Sequence, residues 1–156
     1  MAVRRNSNRG FTLIEILIVV IILGILAAIV IPQFTSASTD ARNSSLSTTV
    51  QTINMQVQAY KLQHNDHLPD LTANWDCLTH KTDVNGNIDP ANGPSFGPYL
   101  QSTPVNSLTG TAVPVVVDGT AFVAGADFVY DYAGGAGTGK IQGTTSTAAS
   151  GALAHY

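Results

Sequence analysis

The sequence predicts an α+β protein, in which one long N-terminal α-helix packs its second half on a small C-terminal antiparallel β-sheet. Three observations predict it. Residues 11–31 form an apolar run holding a single charged side chain. Leu46, Val50, Ile53, Val57 and Tyr60 then recur at alternating spacings of four and three, an apolar stripe along one helix face. Beyond residue 110, short β-branched and aromatic runs alternate with glycine-rich turns.

The apolar run comes first. As a helix it covers about 30 Å, the thickness of a bilayer core. Arg4, Arg5 and Arg9 precede it and no cation follows closely, so the N-terminus is expected in the cytoplasm and the remainder outside. Within the run lies Glu15, the only glutamate of the chain. A carboxylate in a spanning helix costs roughly 2.5 to 3.5 kcal/mol on insertion scales. A plain anchor has no reason to bear that cost. Neither has an ordinary secretory signal, for which Ser36-Ala37-Ser38 would be the cleavage site.

The stretch Gly10-Phe11-Thr12-Leu13-Ile14-Glu15, between a short basic leader and an unbroken apolar run ending at Pro32, resembles the class III signal of type IV pilins and type II secretion pseudopilins. The resemblance implies that a prepilin peptidase cuts between Gly10 and Phe11 and N-methylates Phe11. The apolar helix then stays on the product. Cleavage would create an α-amino group with a reference pKa near 8. The resemblance implies that Glu15 neutralises the Phe11 amine of an adjacent subunit during filament assembly. The positive end of the helix dipole also favours an acid in the first turns.

Pro32 lacks an amide donor, so a kink or local melting is expected over residues 28–31, beside the weak point at Gly24, without ending the helix. The helix is expected from about Thr12 to about Gln63. His64-Asn65-Asp66-His67 closes it. Its two imidazoles and one acid invite a metal reading, but the spacing suits a polar cap and loop entry better, and His80 and His155 do not extend the pattern.

Residues 68–109 are divided by five prolines, with Trp75, Leu78, Phe96, Tyr99 and Leu100 as expected buried anchors. The run from Asp83 to Asp89 has the look of a calcium loop but carries Ile88 at the sixth position and Pro94 at the twelfth. An Asn-Gly turn is the better reading. Gly97-Pro98-Tyr99-Leu100, followed by Pro104, Asn106 and Gly110, resembles the corresponding loop of the major pseudopilin of type II secretion. That resemblance implies possible calcium between the C-terminal strands, yet no ligand set maps onto Asp118, Asp127 or Asp131. No cofactor or metal site is therefore assigned.

In the C-terminal part, strands are expected at residues 113–117 and 121–124, joined as a hairpin through Asp118-Gly119. A third is expected at residues 128–132 and a fourth at residues 140–143. Between these two, Gly134 to Lys140 formally matches a phosphate-binding loop. Ile141 stands where a Mg²⁺-ligating Ser or Thr belongs, and no helix follows, so a flexible hairpin loop is the reading. The tail, residues 144–156, is Ser/Thr/Ala/Gly-rich and expected to be flexible.

The divisions are thus a removed leader at residues 1–10, a membrane and filament-core helix at 11–31, an amphipathic half at 32–64, a variable loop region at 65–110, the sheet at 111–143 and the tail. Charged residues make up 11% of the chain and no basic patch follows residue 10, which argues against nucleic-acid binding. Cys77 is the only cysteine, so no intrachain disulfide forms. No catalytic constellation is evident, and no enzyme activity is expected. The reading is a filament subunit of a type II secretion pseudopilus, a homo-oligomer in a membrane. The resemblance adds the peptidase/methyltransferase, an inner-membrane platform and an ATPase as partners. The alternatives are the major pilin of a type IV pilus and a membrane-anchored binding domain that never polymerises.

Overall fold

The computed structural model describes residues 10–91, 93–111, 114–146 and 151–154. Their elements are helix α1 (Leu13–Gln63), the short helix α2 (Asp76–Thr79), strands β1 (Val116–Asp118), β2 (Phe128–Tyr130) and β3 (Ile141–Gly143), and a 3-10 turn at Ala133–Gly135. The chain divides into two compact units, Met1–Asp40 and Ala41–Tyr156.

In the first unit α1 is unbroken across Gly24 and Pro32, and every described residue is exposed. Residues 28–31 are helical, so the expected local melting does not occur. The proline ring withholds one donor from the ladder. Beyond it, the Thr35 hydroxyl donates to the Ile31 carbonyl at 3.2 Å and the Ser36 hydroxyl to the Pro32 carbonyl at 3.2 Å.

The second unit is built on the stripe read from the sequence. Leu46, Val50, Ile53, Val57 and Tyr60 are all buried, in one core with Leu68, Leu71, Trp75, Leu78, Phe128, Tyr130 and Ile141. Burying side chains of this size stabilises by about 1.5 to 3 kcal/mol each. The Trp75 ring meets Phe128 edge-on at 5.7 Å. Among the other expected anchors Leu78 is buried, while Phe96, Tyr99 and Leu100 are half-buried. Helix α1 ends where Asn65 and Asp66 turn left-handed, φ 51° and 67°, letting the Asp66 N–H close on the Lys61 carbonyl at 3.0 Å.

The sheet differs from expectation. Its order is β1-β2-β3, with β1 parallel to β2 and β2 antiparallel to β3, so it is mixed rather than antiparallel. Asp118-Gly119 forms no hairpin and residues 121–124 no strand. The reason lies in the hydrogen bonds. The Asp118 carboxylate accepts the N–H groups of Tyr132 and Ala133 instead of closing a tight turn, and the Gly119 N–H continues the parallel ladder to the Tyr130 carbonyl at 3.0 Å. Residue 113 lies outside the described residues.

Asn54 of α1 completes the outer side of β3. Its side-chain oxygen accepts the Ile141 N–H at 2.9 Å, and its amide donates to the Ile141 carbonyl at 3.0 Å. One helical side chain thereby does what a further strand would do.

The β2–β3 connection is a hairpin loop with internal order, not the flexible one expected. The Asp131 carboxylate accepts the Thr138 N–H and hydroxyl, and the Gly139 N–H donates to the Asp131 carbonyl. A Cβ at Gly137 would lie 2.2 Å from that carbonyl oxygen, so only glycine fits there. The tail is likewise held where it is described. Ala154 is buried and donates its N–H to the Gly143 carbonyl at 2.9 Å, and Thr145 bonds Ala152. Residues 147–150 and 155–156 lie outside the described residues.

Candidate functional site

The start of α1 is a capping box. Thr12 precedes the first helical residue and its hydroxyl oxygen accepts the Glu15 N–H at 3.3 Å. In return the Glu15 carboxylate accepts the Thr12 N–H at 2.8 Å and the Thr12 hydroxyl at 2.7 Å. Two donors that the first turn leaves without helical partners are satisfied reciprocally. The threonine-x-x-glutamate spacing that forms this box stands in the sequence. Phe11 is 83% exposed, and a Cβ on Gly10 would meet no atom within 4 Å. Among the described residues nothing covers the Gly10-Phe11 bond.

From Leu13 to Ile31 the large apolar side chains stand about half or more exposed. The helix is long and apolar enough to cross a membrane. Such a surface is far larger than the apolar patches tolerated in water, so lipid or like helices must cover it.

The other polar constellations are accounted for inside the second unit. His64 is buried, with Nδ1 2.8 Å from the Tyr60 carbonyl and Nε2 2.9 Å from the Thr82 hydroxyl. In the tautomer this implies, Nδ1 donates and Nε2 accepts. Its ring stacks on Tyr60 at 3.6 Å, so the imidazole is a strut between helix and loop; His67 is exposed. Asp83 accepts the N–H groups of Asn85 and Asn87 and the Asn87 amide, which hold its carboxyl below the usual range and shape the Asn-Gly turn.

Asp127 is fully buried, taking the Thr109 hydroxyl and the Val115 N–H at 2.8 Å. Asp118 and Asp131 are occupied by backbone N–H groups as described. Among the described residues no three acidic, imidazole or thiol groups converge. In the glycine loop, the N–H groups of Gly135, Ala136, Gly137 and Gly139 all donate to carbonyls of the loop itself, which withdraws them from any phosphate. Burial pushes the Cys77 thiol up, so it is not poised as a thiolate.

The loop motif near residue 100 also acquires a physical role. Asn106 is fully buried, and its amide donates to the carbonyls of Asp127 at 2.7 Å and Thr144 at 2.9 Å. Its oxygen accepts the Leu108 N–H at 2.9 Å. Gly110, at φ 69°, closes the turn back on the Asn106 carbonyl. This asparagine ties the loop to the entry of β2 and the exit of β3.

Residues 5–31 match the family model described as the prokaryotic N-terminal methylation motif. The type II secretion system core protein G of Pseudomonas aeruginosa is 38% identical over 103 residues, 66% of this chain and 70% of that protein. The chain belongs to the type II secretion system core protein G family. A second core protein G, from Pectobacterium carotovorum, is 31% identical over 97 residues, 62% of this chain and 60% of its own length. Family likeness thus extends well beyond the methylation motif. The type IV major pilin protein PilA of Myxococcus xanthus is 50% identical, but over 46 residues, 30% of this chain and 21% of that protein. No solved structure matches.

Proposed function

We propose that this member of the core protein G family is the structural subunit of a type II secretion pseudopilus, and that its site is the start of α1. The observation that carries the reading is the half-exposed apolar helix headed by the Thr12–Glu15 capping box and an unobstructed Gly10-Phe11 bond. A prepilin peptidase cuts between Gly10 and Phe11 and methylates Phe11. The N-terminus faces the cytoplasm and the second unit the periplasm. Before the cut, the carboxylate of Glu15 is satisfied by Thr12. Afterwards the Phe11 amine of an adjacent subunit offers it a cation, and the exchange favours subunits set in register. Pro32 is the proposed bend point of the helix, and an inner-membrane platform with its ATPase drives extraction into the filament.

Intact-mass measurement of the membrane fraction tests the processing, and electron microscopy of sheared filaments tests the assembly. A mature chain starting at methylated Phe11 is expected. A product starting near Thr39 would restore the ordinary signal peptide. The match to a type IV major pilin favours one second reading, a true pilus, and filaments displayed beyond the outer membrane would select it.

A further inference from the structure

The two edges of the sheet are finished differently. At the β3 edge, Asn54 takes both backbone groups of Ile141, and the Ala154 N–H takes the Gly143 carbonyl. Strand β1 forms the other edge. In a parallel pair, alternate residues of a strand bond its neighbour. The Val115 carbonyl accepts the Phe128 N–H at 3.1 Å, and the Gly119 N–H donates to the Tyr130 carbonyl at 3.0 Å. With Val117 in register with Val129, residues 115, 117 and 119 are therefore the ones turned to β2. Val116 and Asp118 turn their N–H and carbonyl groups the opposite way, and among the described residues no hydrogen bond meets them there. Val116 is only 8% exposed, so its unpaired backbone groups sit where water reaches poorly.

Beside Val116 lies a cavity of about 370 Å³, whose lining includes Trp75, Asp76, Thr103 and Val115. Trp75 is 6% exposed, and its indole N–H has no hydrogen-bond partner among the described residues. Asp76 is the one charged residue of the lining. Its carboxylate is half exposed, and the His80 imidazole, 3.8 Å away, is the only basic group within reach of it among the described residues.

We propose that the outer edge of β1 receives a short, extended, basic segment of another protein as an added strand. The unpaired groups determine the kind of occupant. Donors and acceptors repeating every second residue along an open edge are matched by an extended backbone, which pairs with them as a neighbouring strand would. The cavity beside Val116 receives one side chain of the segment, and Trp75 brings a further donor to its wall. Asp76 selects lysine or arginine over an acid. The three residues of β1 limit the pairing to a short stretch. None of this depends on the start of α1, so the filament reading and the strand-addition site stand or fall separately.

The probe is a short capped peptide of alternating valine and lysine, titrated into the full-length chain in nonionic detergent micelles. Trp75 is the only tryptophan of the chain, so its fluorescence reports on this site alone. A saturable fluorescence change is expected, with the Val116 and Asp118 N–H groups gaining protection from hydrogen exchange while that of Val117 stays as it was. Two N-methylated versions, blocked either at the valines or at the lysines, should split: the one that keeps its donors towards β1 binds and the other does not. Asp76→Asn should weaken binding by about three- to fivefold, and a valine–glutamate peptide should not saturate. No saturable change with the valine–lysine peptide, equal behaviour of the two methylated peptides, or protection confined to other amides would overturn the proposal. Val116 and Asp118 N–H groups already protected in the free chain would also overturn it. Protection at every concentration would mean that the chain covers its own edge, and protection only at high concentration that a second copy does.

Discussion

Removing the side chain of Asn54 tests whether one helical amide substitutes for a missing strand. Asn54→Ala deletes the bonds to the Ile141 N–H and carbonyl, 2.9 and 3.0 Å long, and leaves both groups facing the helix from a residue with no exposed surface. An orphaned backbone group costs about 1 to 3 kcal/mol when buried, and the site is partly buried, so the two together cost about 2 to 4 kcal/mol. For a unit the size of Ala41–Tyr156, each kcal/mol lowers Tm by roughly 3 to 6 °C. The expected loss is therefore about 6 to 24 °C, read by circular dichroism on the second unit. Gln58→Ala, on the exposed face of the same helix, should change stability by less than about 0.5 kcal/mol. Asn54→Asp adds a sign test. The introduced carboxyl keeps an acceptor for the Ile141 N–H but faces the carbonyl with a charge, so its pKa rises in the folded state. Its deficit against wild type should shrink as pH falls through that raised pKa, because the protonated acid donates again. If Asn54→Ala melts within about 2 °C of wild type, the edge of β3 is held by something else.

Three further outcomes are expected. Glu15→Gln should leave membrane insertion and cleavage intact while filaments fail, since an unpaired buried charge costs about 3 to 5 kcal/mol per subunit; Thr12→Ala, which removes only the hydroxyl half of the capping box, should cost about 1 kcal/mol and leave filaments countable by microscopy. Tyr130→Phe should raise Tm by a few degrees, because the Tyr130 hydroxyl is buried with no hydrogen-bond partner among the described residues; a lowered Tm would reveal a partner. Stability should fall towards both extremes of pH. Burial raises the Tyr60 and Tyr130 hydroxyls, so their contribution is complete below the unfolded value near 10 and is lost as pH rises above it. The bonds from Asn87 to Asp83 and from Thr138 to Asp131 lower those acids, so their contribution is present above about pH 4 and is lost as pH falls. An alkaline limb unchanged in Tyr60→Phe/Tyr130→Phe would refute the tyrosine assignment.

What the sequence made legible divides along physical lines. Helix α1 was readable to within a residue at each end, because periodicity reports burial directly: all five residues of the stripe are in the core. The N-terminal methylation motif was readable because its residues adjoin in the chain. The sheet was misread at Asp118-Gly119, whose turn chemistry is local, while the carboxylate is captured by N–H groups fourteen and fifteen residues away. A strand length of three residues leaves no periodicity to detect. His64, Asn54 and Asp127 gave no usable signal either. Their roles depend on which backbone groups the fold brings opposite them, at separations of 18, 87 and 12 residues for Thr82, Ile141 and Val115. The tail looked flexible by composition, yet the Ala154 N–H bonds the Gly143 carbonyl.

Gly10 is left without a structural duty. Among the described residues, no atom lies within 4 Å of a Cβ placed on it. Folding would accept many residues there. Under the proposed processing, a requirement for glycine there comes from outside the chain, from the cleft of a protease that brings its catalytic groups against a bare backbone. The position is informative because the molecule itself is indifferent to it. Variants at Gly10 would report the shape of that enzyme's cleft and leave the stability of this protein unchanged.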